Sequence, residues 1–243
     1  MHGYLFCLSG PVHRRVSPAF GPLQFKTQTN KTIIPRNITL KKTLLTLCLI
    51  VFSAVFCGLL LPDTAAAHPH VFIEQRLKVV FDDNGLSGIQ VNWQFDDMFS
   101  SMIANDHDLD KNNSLDPEEV ASIKEKAFAY IAEYDYFFSV KIEGKPFPVK
   151  WVTDFSAELD QGKLIYDFFI PCHVAAVGTA KKVIVASYDP NYYTAIFFAD
   201  RKPFRLVNAE AFGVNAEVRE DKDTWIYFDM VNPWTLFLDF RLK

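Results

Sequence analysis

The sequence lacks the short motifs that identify many enzymes. It has no glycine-rich phosphate loop, no Gly-x-Ser-x-Gly nucleophile elbow and no His-Glu-x-x-His helix. No nucleophile and general base converge in its pattern. It also contains no internal repeat. We therefore expect that the protein is not an enzyme. The weakest alternative is a hydrolase that uses a metal ion held by a cluster of its aspartates.

Cysteine is scarce, with four residues in a chain of 243. Cys7, Cys48 and Cys57 lie in an N-terminal stretch that we interpret below as a leader, so only Cys172 would remain after processing. The processed chain then has no internal disulfide, and its core must stabilise it. Cys172 precedes His173, but adjacent side chains of a strand point to opposite faces. We expect a buried thiol and no activated nucleophile.

Basic residues are fewer than acidic residues in the part of the chain after residue 67. Residues 1–67 hold seven Lys or Arg and one acidic residue, and subtracting these from the totals of 25 and 29 leaves 18 basic and 28 acidic groups. The remainder therefore carries a net charge of −10. This acidity argues against nucleic acid as a partner and suits a protein that binds cations. A net negative charge that only keeps the domain soluble, without binding cations, would explain this composition equally well.

Residues 40–67 have the features of a signal peptide. Lys41 and Lys42 supply the positive end, an uncharged apolar run follows, and the alanines at 65–67 suit a signal peptidase. We expect cleavage after Ala67 and a periplasmic location. The apolar run is long enough to span a bilayer, so an uncleaved inner-membrane anchor facing the periplasm is the alternative.

Residues 1–39 precede what is already a complete signal, and they show no hydrophobic periodicity. We interpret them as an extension that results from a misassigned start. Cleavage after Ala67 would leave residues 68–243, which is long enough for one hydrophobic core. We therefore expect a single mature domain.

The most specific pattern is the twelve-residue segment Asp108–Glu119. Its spacing is that of an EF-hand calcium loop, in which oxygen ligands come from positions 1, 3, 5, 7, 9 and 12. Asn113 occupies position 6, where the sharp turn prefers glycine, but Asn tolerates positive φ. Apolar residues at helical spacing on both sides predict an EF-hand over 96–134. The calcium ligands would be Asp108, Asp110, Asn112, Ser114 (through its backbone carbonyl), Asp116 and Glu119.

The rest of the chain predicts strands. Alternating residues on either side of Asn84-Gly85 predict an N-terminal β-hairpin. Later strand signals recur at short spacing, which favours an antiparallel, sandwich-like sheet structure. We therefore predict an α+β fold with an N-terminal hairpin, one EF-hand helix-loop-helix and a β-rich remainder. The later strand signals are Phe138–Ile142, Trp151–Asp160, Lys163–Cys172, Lys182–Tyr188, Tyr193–Phe198, Ala216–Arg219, Trp225–Met230 and Trp234–Phe240.

The sequence resembles a family of exported bacterial proteins of unknown function. These proteins are often labelled as the periplasmic component of an uncharacterised transport system, and they are commonly encoded beside nickel/cobalt- or zinc-type metal transporters. The resemblance spans nearly all of residues 68–243. It is carried by His68–Glu74, Trp93–Asp97 with Phe99-Ser100, the acidic loop 108–119, Tyr136–Phe138 and Tyr188–Tyr193.

The resemblance implies a periplasmic metal-handling accessory protein, with an inner-membrane metal transporter as a partner. Together with the calcium loop predicted above, it leads us to expect a periplasmic calcium-binding accessory protein of transition-metal transport or homeostasis. A second hypothesis is an interaction module that calcium only rigidifies. Cleavage after Ala67 would also expose the amine and imidazole of His68, and His70 could add a second imidazole. Such a pair could hold Cu²⁺, Ni²⁺, Co²⁺ or Zn²⁺. Equally, this start could be an exposed segment that binds no metal tightly.

Overall fold

The computed structural model describes residues 36–59, 69–227 and 229–243. The chain divides after Ala65 into two units. In the first unit, α1 (Arg36–Leu59) covers most of the predicted signal peptide. Within the described ranges, no helix is long and apolar enough to cross a membrane. The predicted cleavage site and nearly all of the predicted extension lie outside these ranges.

The second unit, Ala66–Lys243, contains eleven strands and two short α-helices among its described residues. The helices are α2 (Asp97–His107) and α3 (Pro117–Ile123). The first strands are β1 (Val71–Asp82), β2 (Gly85–Phe95), β3 (Phe138–Ile142), β4 (Lys145–Phe147), β5 (Thr153–Asp160) and β6 (Lys163–Ala175). The others are β7 (Lys181–Ser187), β8 (Thr194–Phe198), β9 (Phe204–Val207), β10 (Phe212–Glu220) and β11 (Trp234–Leu242).

The strands form two sheets. One has the order β5-β6-β2-β1-β8, with β9 also paired to β1, and the other has the order β10-β11-β7-β3-β4. Side chains of both sheets meet in one core. Trp93 of β2 stacks on Phe138 of β3 with ring centroids 5.9 Å apart, and Phe81 of β1 meets Phe240 of β11 edge-on at 5.3 Å. The predicted α+β class with a β-rich body is confirmed.

Strands β1 and β2 pair antiparallel from Ile73–Phe95 to Asp82–Gly85, with one register shift after Val80. Apolar residues alternate along both, so one face of each strand is buried while the other carries mainly polar side chains. The Asp82 carboxylate accepts hydrogen bonds from the backbone N–H groups of Asn84 (2.8 Å) and Gly85 (3.1 Å). The turn between the strands is therefore fixed by a side chain as well as by its glycine.

The predicted antiparallel arrangement was wrong for two strands, because β8 and β9 run parallel to β1. The turn-forming sequence Asp189-Pro190-Asn191 lies between β7 and β8, which belong to different sheets and so do not form a hairpin. The buried Asp189 carboxylate accepts backbone N–H groups of Asn191 (2.8 Å), Tyr193 (3.1 Å) and Thr194 (3.0 Å). These bonds satisfy the backbone of a segment that crosses between the sheets.

Two other predicted elements differ from the structure. Trp225–Met230 was predicted as a strand, but its residues contribute only an isolated bridge between Ile226 and Val231. The helix after the acidic loop was predicted as continuous, whereas α3 is followed by a π-helical turn, Lys124–Phe128, and a 3₁₀ segment, Ala129–Phe137.

The π-helical turn has a packing reason. Ile123 and Phe128 are both buried, and residues five apart lie about 140° apart around an α-helix. An i→i+5 turn brings such residues close to one face. The Ala129 N–H bonds to the Lys124 carbonyl in this pattern. Phe128 thereby packs on Phe168, with ring centroids 5.1 Å apart.

Candidate metal centre

The acidic loop lies between two helices whose N-termini are capped by aspartate. Asp96 accepts the N–H of Phe99 (2.9 Å) at the start of α2 and the N–H of Phe72 (2.7 Å) in β1. Asp96 is the N-cap of α2, whereas Asp97 is the first residue of the helix. Asp97 forms an ion pair with Lys163 at 2.6 Å. These bonds attach the start of α2 to the first sheet.

The start of α3 is a capping box with a proline at its first turn. Asp116 accepts the N–H groups of Glu118 (2.8 Å) and Glu119 (2.9 Å), while Glu119 Oε2 accepts the N–H of Asp116 (3.0 Å). Glu119 Oε1 also accepts the N–H of Leu109 (2.7 Å) at the other end of the loop. Glu119 thus bonds to both ends of the loop.

Backbone amides inside the loop point at its carboxylates. Asp108 accepts the N–H groups of Asn112 (3.1 Å) and Asn113 (2.9 Å), and Asp110 Oδ1 accepts the N–H of Asn112 (3.1 Å). Asn113 has a φ of 61°, the left-handed conformation that its position in the loop predicts. The Asn112 side chain accepts the N–H of Ser114 (2.7 Å). The backbone of the loop therefore curves around the carboxylates of Asp108 and Asp110.

Three of the six predicted ligand residues come together. Asp108, Asp110 and Glu119 each offer a carboxylate oxygen within 4.8 Å of the other two. Asp108 and Glu119 are only 4% and 5% exposed, whereas Asp110 is exposed. Within the described residues, this is the one group of three or more acidic, His or Cys side chains close enough to share a metal ion.

The other predicted calcium ligands have different contacts. Asn112 Nδ2 donates to Asp110 Oδ2 at 2.7 Å, and the Asp116 carboxylate is engaged in capping. The side chain of Ser114 is exposed, and ligation by its carbonyl stays a prediction. His107, the last residue of α2, is buried, and its Nδ1 lies 3.1 Å from Ser122 Oγ. That hydrogen bond joins α2 to α3.

Of the predicted pair His68 and His70, only His70 lies among the described residues. His68 lies outside the described residues. His70 packs on Tyr193, with ring centroids 5.0 Å apart, and it does not belong to the acidic cluster. The transition-metal site at the mature terminus therefore stays a prediction.

Cys172 and His173 lie on opposite faces of β6. Cys172 is 1% exposed, while the exposed His173 lies with Nδ1 at 4.0 Å from Asp82 Oδ2. Burial raises the pKa of the Cys172 thiol from its ordinary value of 9.0 to about 11. The thiol is therefore neutral at physiological pH and is not paired with a base.

We expect Cys172 to resist alkylation in the native protein. At pH 8 a pKa of about 11 leaves about a hundredfold less thiolate than the ordinary value does, and burial blocks access as well. Peptide mapping of the uncleaved 243-residue chain after iodoacetamide treatment at pH 8 should show Cys48, which is exposed, alkylated and Cys172 intact. Both should react in concentrated urea. Equal native rates for the two residues would contradict this account of Cys172.

The second unit is thus a β-rich α+β domain that carries an acidic helix–loop–helix. The chain belongs to the family described as "Protein of unknown function (DUF1007)", whose profile matches residues 53–226. The expected membership in a family of uncharacterised proteins is confirmed at that level.

Two curated relatives are themselves uncharacterised. An "Uncharacterized 15.5 kDa protein in trpE 3'region" of Spirochaeta aurantia is 25% identical over 133 residues, which are 55% of this chain and 94% of the relative. An "Uncharacterized protein" of Haemophilus influenzae is 24% identical over 153 residues, which are 61% of this chain and 71% of the relative. Neither name supplies a ligand or an activity.

Proposed function

We propose that this protein is a periplasmic calcium-binding protein that assists transition-metal transport or homeostasis, and that the acidic loop is an EF-hand-type calcium site. The observation that carries the proposal is the convergence of Asp108, Asp110 and Glu119, at loop positions 1, 3 and 12, within 4.8 Å. Three carboxylates this close repel one another, and two of them are buried. A bound cation would relieve that repulsion.

The chemistry of the donors favours calcium over a transition metal at this loop. All of the proposed ligands are oxygens, and calcium takes six to eight oxygen ligands in irregular geometry. Zinc, copper and nickel prefer nitrogen or sulfur ligands. The nearby imidazole of His107 is hydrogen-bonded to Ser122 and is not a member of the cluster. Calcium would then tie α2 to α3 through the loop.

The transition-metal role rests on the resemblance and not on the loop. The family that the sequence resembles is commonly encoded beside metal transporters, which suggests an inner-membrane transporter as the partner. His68 and His70 supply a candidate site for Ni²⁺, Co²⁺, Zn²⁺ or Cu²⁺. Loss of metal tolerance on deletion of the gene would support this role. Normal tolerance together with a co-purified protein partner would contradict it and favour the interaction module.

The interaction module is the second candidate, and one observation favours it. Three apolar side chains on α2 and the loop are open to solvent: Met98 is 65%, Met102 48% and Leu109 80% exposed. Calcium would then fix the helices that present these side chains to a protein partner.

Calorimetry provides the test of calcium binding. We expect one site with a Kd of about 10⁻⁴–10⁻³ M, the range of extracellular calcium modules, because the loop is unpaired and has Asn113 at its turn. Magnesium should bind more weakly, since it requires near-ideal octahedral geometry. Calcium should also raise the melting temperature by mass action. Absence of binding at millimolar calcium would refute the EF-hand proposal.

A further inference from the structure

A cavity of about 460 Å³ lies beside the segment that follows α3, against the start of β1 and the end of β2. Nine of its sixteen lining residues are aromatic, and four more are aliphatic. Protein cores contain few voids larger than a water molecule. A space of this size falls in the range of small-molecule binding sites.

The cavity opens to solvent beside two of its tyrosines. Tyr130 is 64% exposed and Tyr193 53% exposed, although both line the cavity. At the opposite extreme, the lining residues Trp93 and Tyr166 are 1% and 3% exposed. A ligand could therefore enter from the surface and reach residues of the core.

Two buried donors in the lining have no partner. Trp93 Nε1 and Tyr166 Oη form no hydrogen bond in the part of the chain that the structure describes. An unpaired buried polar group costs about 1–3 kcal/mol, so native proteins rarely leave one. The indole N–H can only donate, and burial raises the pKa of Tyr166 so that its hydroxyl keeps its proton. Both groups would be satisfied by a hydrogen-bond acceptor.

The charges around the cavity argue against an ionic ligand. Among the residues that the structure describes, no Lys, Arg or His lines it, and Asp189 is its one charged lining residue. The Asp189 carboxylate already accepts three backbone N–H groups. An anion would be repelled by Asp189 and would find no countercharge. An organic cation would gain from the aromatic rings, but it would leave the two donors unpaired.

We propose that this cavity binds a small, uncharged aromatic molecule whose carbonyl or ether oxygen accepts a hydrogen bond from Trp93 or Tyr166. The rings of the lining supply apolar contact area, and the oxygen selects against pure hydrocarbons. The site is separate from the acidic loop and does not depend on the calcium proposal.

The probe for this site is 6-propionyl-2-(dimethylamino)naphthalene, an uncharged fluorescent ketone. Titrated into the full chain in the presence of EDTA, it should bind saturably with one-to-one stoichiometry and a blue-shifted emission. Unlabelled 2-acetylnaphthalene should displace it, whereas 2-naphthoate and 2-naphthyltrimethylammonium should not. Displacement by the cation as effective as by the ketone would overturn the proposal in favour of an aromatic cage for organic cations. Absence of saturable binding would overturn it outright.

Variants locate the site. Ala127→Phe fills the cavity and should weaken the probe at least tenfold, while Ala129→Phe, on an exposed neighbour outside the lining, should leave it unchanged. Trp93→Phe and Tyr166→Phe keep an aromatic ring and remove one donor each. At least one of them should weaken the ketone about five- to tenfold and leave 2-propylnaphthalene, which has no acceptor, unaffected.

Near-ultraviolet circular dichroism checks that each variant is folded. If Ala127→Phe does not fold, the two donor variants still decide the matter. Equal loss of the ketone and the hydrocarbon in both donor variants, or no loss of the ketone in either, would refute the assigned hydrogen bond.

Discussion

Replacing Glu119 with glutamine is expected to lower calcium affinity by at least about tenfold while the protein without metal stays folded. The change removes one charged oxygen from the bidentate ligand position. Oε1 and Oε2 accept the N–H groups of Leu109 and Asp116, and an amide can accept only one of these. One of these partly buried N–H groups then loses its partner, at a cost of about 1–2 kcal/mol. Calorimetry and urea unfolding measure the two effects.

Glu118→Gln is the matched control for this variant. Glu118 lies beside Glu119 in the same turn of α3, but its side chain is exposed and lies outside the carboxylate cluster. The same change of charge should therefore alter calcium affinity by about twofold or less and stability by about 0.5 kcal/mol or less. If both variants weakened calcium equally, the long-range field of the acidic residues and not ligation by Glu119 would explain the binding.

Much of the sheet structure was predictable because the signals for it are local. Alternation between polar and apolar residues marks β1 and β2, and Asn84-Gly85 marks the turn between them. Gln161-Gly162 marks the turn between β5 and β6 in the same way. The signal around Asp189 is equally local, but it does not tell which sheet the next strand joins. That choice depends on long-range pairing of β8 with β1.

The acidic cluster was predictable from spacing, whereas the contacts that hold it were not. A twelve-residue ligand pattern already implies that Asp108 and Glu119 approach each other. The burial of His107 against Ser122 depends on how α2 packs on α3, which the pattern does not contain. The π-helical turn likewise follows from the position of Phe128 in the core.

The cavity was not predictable from the sequence. Its lining comes from separate segments, and an aromatic residue in any of them simply indicates a core position. Trp93 lies on β2 and Tyr166 on β6, and only their pairing side by side in one sheet brings the two unpartnered donors together. A sequence pattern shows that such residues are inside a fold, but not that space is left between them.

Gly85→Ala is expected to destabilise the fold by about 3 kcal/mol or more. Gly85 has a φ of 145°, which L side chains rarely adopt, and a Cβ there would lie 2.3 Å from the Val174 carbonyl oxygen and 2.6 Å from the Ala176 nitrogen. These are backbone atoms, so no rotamer change relieves the overlap. The Ala176 N–H donates to the Asn84 carbonyl at 2.8 Å, and moving it would break that bond. Strain and overpacking each cost about 1–3 kcal/mol.

Gly162→Ala separates the two contributions to this loss. Gly162 also has a positive φ, of 80°, in the turn between β5 and β6, but nothing lies within 4 Å of a Cβ built there. Its replacement should cost only the backbone strain, about 1–2 kcal/mol. Urea unfolding of both variants measures the difference. An equal loss would mean that β6 shifts away from the turn, and that the β1–β2 connection is not packed against it as closely as the structure shows.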